Sequence, residues 1–188
     1  MLTEKAIAYI GELFKGDAGG HDAAHTLRVY RTAMRIAASE PGCDMEIVSL
    51  AALLHDADDP KLFQTRDQEN ARSFLRENGV PQERIERICA VIRGVSFSRN
   101  RGRIPDTIEG RIVQDADRLD AMGAVGIART FAYGGQHGRP LTDSVQHFYD
   151  KLLLLKDLMH TETAKAMAAE RHAFLVSFLQ QLDAERAP

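Results

Sequence analysis

Two histidines and two aspartates stand where a helical protein would otherwise place apolar side chains. Ile47, Leu50, Ala51 and Leu54 recur at helical spacing, and His55 continues their line with Asp56 beside it. His25 falls in line with Val29, Ala33 and Ile36, and Asp117 lies one turn after Val113. Burying an imidazole or a carboxylate costs free energy unless something pairs with it. A lone His-Asp pair is explained as well by a core histidine held by its neighbour, so the repetition is what counts. Two imidazoles and two carboxylates from three separate helices suit one divalent ion of intermediate hardness. Manganese, iron, cobalt, nickel and zinc qualify, with magnesium also admissible. Four protein ligands on a six-coordinate ion leave two positions for water and a substrate oxygen, whereas structural sites are closed. An ion so held makes water acidic enough to supply hydroxide near neutral pH.

The elements that must position these groups all read as helices. Residues 3–15 form an amphipathic segment with Thr3 as its N-cap, broken by Gly16, Gly19 and Gly20. A second helix runs from the Asp22 cap to about residue 40, with His21 just before it. The third spans 44–55 and ends at Asp58-Asp59-Pro60, because proline disfavours helix in the residue before it. Further helices are expected over 67–78, 82–93, 107–120, 121–131, 143–158 and 161–185, the last capped by Thr161 or Thr163. Ser96–Pro105, with Arg99, Arg101 and Arg103 at alternate positions, reads as a loop, either solvated or the basic rim of an anion site. Tyr133–Pro140 reads as another loop, and Arg118 and Asp120 as partners in local ion pairs. No run of alternating β-branched residues signals a strand. The expected fold is all-α, a single globular helical bundle over 1–188 with about seven to nine helices.

The 188 residues suffice to bury about two-thirds of the unfolded surface. A net charge of −3 argues against a nucleic-acid polymer or an anionic membrane as partner, but not against a small phosphorylated substrate held by a local basic cluster. Cys43 and Cys89 alone build neither a disulfide framework nor a thiolate zinc site, which fits a reducing, cytoplasmic setting. No signal peptide or membrane-spanning run is evident. A monomer and a homodimer are both compatible with the composition.

Three spaced blocks carry a family resemblance. They are His21-Asp22-x-x-His25-x-x-Arg28-Val29, then Leu53-Leu54-His55-Asp56-x-x-Asp59-x-Lys61, then Val113-Gln114-Asp115-Ala116-Asp117-Arg118-Leu119-Asp120-Ala121. Together they resemble the HD superfamily of metal-dependent phosphohydrolases, in particular its bacterial single-domain, nucleotide-hydrolysing members. Gln146–Leu153 and Arg171-His172-x-Phe174 extend the resemblance to nearly the whole chain. The resemblance implies His25, His55, Asp56 and Asp117 as metal ligands, with Asp115 the rival of Asp117. His21 and Asp115 would then support the ligands from behind. It also implies hydrolysis of a nucleotide, as in members that cut nucleoside triphosphates to monophosphate and pyrophosphate. By position Asp59 orients the attacking water and Lys61 holds a phosphate oxygen; the alternative is a cap and a solvated lysine. Arg28 either pairs with a carboxylate or meets phosphate, and Lys151 is a further substrate candidate. HD proteins with two metals carry extra histidines between the pair and the last aspartate. Residues 57–116 have none, which favours one ion over the two of a nucleotide phosphodiesterase. A metal- or nucleotide-sensing module without turnover is the rival outside the enzymes.

Overall fold

The computed structural model describes residues 1–16, 22–95 and 103–186. Among the described residues the chain forms nine α-helices and one 3₁₀ segment, and no strand, as an all-α reading requires. The helices are α1 (Leu2–Leu13), α2 (Ala23–Ala37), α3 (Met45–Leu54), α4 (Glu69–Glu77), α5 (Gln82–Val95), α6 (Ile108–Asp120), α7 (Gly123–Gln136), α8 (Leu141–Asp150) and α9 (Glu162–Arg186). The 3₁₀ segment is Leu152–Leu158.

The bundle is built around α3. Every residue from Ile47 to Leu54 is buried, so this helix is apolar or small on all sides and must be covered all round. It packs against α1, α2, α5 and α6. Its last residue is followed directly by His55 and Asp56, so two polar groups are delivered to the centre of the molecule by the most apolar helix in it. Asp44 starts α3 by accepting the Ile47 N–H at 3.2 Å. Asp22 starts α2 by accepting the His25 N–H at 2.7 Å, which fixes the first turn that carries His25. The loop after Asp56 is pinned from below: the Asp58 carboxylate accepts the N–H groups of Asn70 and Ala71 at 2.9 and 3.0 Å.

Several boundaries differ from the sequence reading. Thr3 lies inside α1 rather than capping it, with its hydroxyl 3.2 Å from that of Ser49. The start of α4 is delayed by Asp67 and Gln68, both at positive φ. The expected loop from Tyr133 is helical as far as Gln136, since α7 runs through Gly134 and Gly135. A Cβ on Gly134 would lie 2.5 Å from Ser144 Oγ, so close packing of α7 on α8 overrides the poor helix propensity of glycine. Gly138, at φ +62, then turns the chain into α8. The expected helix over 143–158 breaks at Lys151 (φ −141, ψ −57). Beyond it, Leu152 and Leu155 are both buried, three residues apart as a 3₁₀ repeat places them.

Candidate metal centre

His25 and His55 meet edge to face, with ring centroids 5.3 Å apart and Nε2 atoms 3.3 Å apart. Both rings are held from behind. Nδ1 of His25 lies 2.7 Å from Asp120 Oδ2, and Nδ1 of His55 lies 2.8 Å from the Ala52 carbonyl. A carboxylate and a carbonyl can only accept, so each Nδ1 carries a hydrogen, and each Nε2 would offer its lone pair inward once an ion displaces any proton there. Asp56 Oδ2 is 3.4 Å from both Nε2 atoms, and Asp117 Oδ1 is 3.5 and 3.7 Å from them.

These distances fit a metal. Two atoms each about 2.1 Å from one ion can be at most about 4.2 Å apart, and the separations among His25, His55 and Asp117 are all shorter; Asp56 meets this limit toward both imidazoles but is not in the group that is mutually close. Electrostatics points the same way. Burial works against a charge on His25, but hydrogen bonds to Asp117, Asp120 and Asp56 outweigh it and raise its pKa well above the ordinary imidazole value. Burial pushes the Asp117 carboxyl up, yet the His25 hydrogen bond and the His55 charge bring it below the usual range. The cluster is made to hold positive charge. Among the described residues, His25, His55 and Asp117 are the group whose ligand atoms all lie within 4.8 Å of one another.

The cluster lies on one wall of a cavity of about 450 Å³. Asp59, Lys61 and Lys151 line it with the four candidate ligands. Asp59 also accepts the Lys61 N–H at 2.8 Å and so shapes the turn that carries both. Arg28 is not among the lining residues. It pairs with Asp120, Nε to Oδ1 at 2.7 Å and Nη2 to Oδ2 at 3.0 Å, and so takes the carboxylate-pairing alternative rather than a place beside substrate. Asp115 turns away to the start of α9, accepting from the N–H groups of His160 and Thr161 and from the Thr161 hydroxyl. It supports that helix, not the ligands. Of the two threonines offered as caps, Thr161 fills the place, accepting the Ala164 N–H at 3.3 Å. His21, Arg99 and Arg101 lie outside the described residues; Arg103 is exposed and does not line the cavity.

Two important residues escaped the sequence reading. Asp120 does not pair with Arg118; it receives His25, Arg28 and Arg129, the last at 2.5 Å. Burial drives its carboxyl up, but His25, Arg28 and Arg129 hold it well below the usual carboxylate range. Its position three residues after Asp117, on the same helix face, was the available signal. Arg129, on α7, carried none.

The HD domain family model matches residues 22–122, more than half of the chain. The chain belongs to the HD domain family. The Bacillus subtilis (strain 168) protein YpgQ is 41% identical over 190 residues, covering 96% of this chain and 92% of YpgQ. A YpgQ crystal structure in complex with ADP aligns with a TM-score of 0.84 at 36% identity, covering 98% of this chain and 97% of that one. An HD-superfamily hydrolase from Bacillus thuringiensis aligns with a TM-score of 0.79 at 40% identity, covering 97% and 95%. All four candidate ligands fall inside the matched HD segment. Asp120 does too, and as the hydrogen-bond partner of a candidate ligand imidazole it is expected to set metal affinity. Asp120→Asn, which keeps the shape and loses the charge, is expected to weaken binding of the divalent ion about 10- to 100-fold in a chelator competition. An unchanged affinity in that variant would remove Asp120 from the site.

Proposed function

We propose that this protein is a metal-dependent phosphohydrolase acting on a nucleotide or another small phosphate ester, with a nucleoside triphosphate cut to monophosphate and pyrophosphate as the favoured reaction. The observation that carries this reading is the inward-facing set of two imidazoles and two carboxylates on the wall of a cavity that lysines and arginines also line. The ADP complex of YpgQ supports a nucleotide as ligand. His25, His55, Asp56 and Asp117 would hold the ion. When bound, it supplies Lewis acidity toward a phosphoryl oxygen and makes water acidic enough to attack near neutral pH. Asp59 orients the attacking water and takes up its proton. Lys61 and Lys151 hold phosphoryl oxygens and neutralise the charge that grows on them. Ile92, Leu152 and Leu155 form an apolar wall that keeps other water away.

Elemental analysis of the purified protein, followed by chelation, tests the proposal. About one manganese, iron, cobalt, nickel or zinc per chain is expected. Release of pyrophosphate or phosphate from a nucleotide panel should stop on chelation and return with manganese. Turnover that survives complete metal removal would refute it, as would a metal-loaded protein inert toward every ester tried. Tight nucleotide binding without turnover would point to the sensing module instead.

A further inference from the structure

Arg118 follows a metal-ligand candidate in sequence and lines the same cavity, yet it is only 3% exposed. Three carboxylates flank it on α6, and all three are engaged elsewhere. Asp115 holds the start of α9, Asp117 faces the imidazoles, and Asp120 receives His25, Arg28 and Arg129. Among the described residues Arg118 makes no ion pair. Its Nη1 donates to the Leu158 carbonyl. The nearby His160 Nε2, 3.1 Å away, is no acceptor. The Gln114 amide N–H₂ is committed to the Gly94 carbonyl at 2.7 Å, so Gln114 Oε1 faces His160 Nε2 at 2.6 Å, and that nitrogen carries the hydrogen. The Arg118 Nε–H is buried with no partner among the described residues.

A buried guanidinium that feels Asp115 and Asp117 only through space, with no direct ion pair, is costly, and an orphaned N–H adds to the cost. Both costs are relieved by an anion that arrives with the ligand. We infer that Arg118 grips a second oxyanion of the substrate, apart from the phosphoryl group that reacts, and thereby selects substrates carrying two such groups. The planar fork suits a tetrahedral oxyanion, which it can meet with two parallel N–H groups, whereas a lysine offers only a point charge. The inference rests on the phosphohydrolase reading for the nature of the substrate, but its test does not depend on turnover.

The probes are inorganic phosphate and inorganic pyrophosphate, titrated calorimetrically into the metal-loaded protein. The wild type is expected to favour pyrophosphate, and Arg118→Gln to reduce the ratio of the two affinities about tenfold or more. Arg118→Lys, with charge but no fork, should fall between. A folded Arg118→Gln protein that keeps the ratio within about twofold would overturn the inference. Should both variants fail to fold, the wild type answers alone through the ¹H–¹⁵N resonance of Arg118 Nε. It should move on saturation with pyrophosphate, and a resonance that stays put would be equally decisive against the idea. A wild type that binds pyrophosphate through Arg118 but cleaves no ester keeps this inference and loses the proposed activity. One that cleaves esters while Arg118→Gln retains the ratio does the reverse.

Discussion

The His55→Ala protein is expected to purify without metal and to lose at least about a thousandfold in turnover of a phosphate ester, the equivalent of about 4 kcal/mol of transition-state stabilisation. The expectation follows from the place of the ring. His55 closes the most buried helix of the bundle, its Nδ1 is tied to the Ala52 carbonyl, and its Nε2 lies within 3.7 Å of His25, Asp56 and Asp117. The preceding turn of α3, Ala51 to Leu54, is apolar and offers no replacement ligand. The fold should survive. Losing the ring leaves the Ala52 carbonyl without its side-chain partner, at about 1 to 3 kcal/mol. Metal content by elemental analysis, turnover and the urea midpoint together check this. A well-folded His55→Ala protein with full activity would end the metal-catalysis reading.

The second large effect concerns stability. Asp115→Ala is expected to destabilise the protein by about 3 to 5 kcal/mol, because three donors lose their acceptor inside the fold. Those donors are the His160 N–H, 3.0 and 3.1 Å from the two Asp115 oxygens, the Thr161 N–H at 2.8 Å and the Thr161 hydroxyl at 2.9 Å. They sit at the start of α9, the longest helix, which packs on α6, α7 and the 3₁₀ segment. A fall of about 10 °C in Tm is the corresponding thermal result. The fraction that remains folded should keep its metal. Asp117→Ala should behave in the opposite way, losing metal and turnover with a smaller thermal effect. If Asp115→Ala instead released metal while melting normally, the two aspartates would have to exchange roles.

That pair also shows what the sequence can and cannot tell. Asp115 and Asp117 are two residues apart on one helix, about 200° around its axis, so they face nearly opposite ways. Periodicity alone says that one joins a shared site and the other does not. The family resemblance favoured Asp117 for the site, but the hold of Asp115 on α9 became visible only with the packing of α6 on α9. The helices themselves were legible because the apolar repeats and caps such as Asp22 and Thr161 are local signals. The break at Lys151 was not, since Leu152–Leu155 reads as helix and only the buried pair of leucines reveals the tighter winding. The spacing also marked out His25, His55, Asp56 and Asp117, which the fold brings together. Asp120 and its cations were hidden because their contacts bridge distant segments. Arg28 is 92 residues from Asp120, and His25 is 95. A charge cluster assembled across such separations leaves no periodic trace.

The cavity divides at residue 122, where the matched family segment ends. The four candidate metal ligands come before that point, whereas Tyr133, Arg139, His147, Lys151, Leu152 and Leu155, which also line the cavity, come after it. The candidate ligands thus come from the first stretch alone, and the rest of the lining from both, since Asp59, Lys61, Ile92 and Arg118 also precede that point. A change confined to the later stretch can therefore reshape part of the cavity without touching a candidate ligand, provided Arg129 stays to brace Asp120.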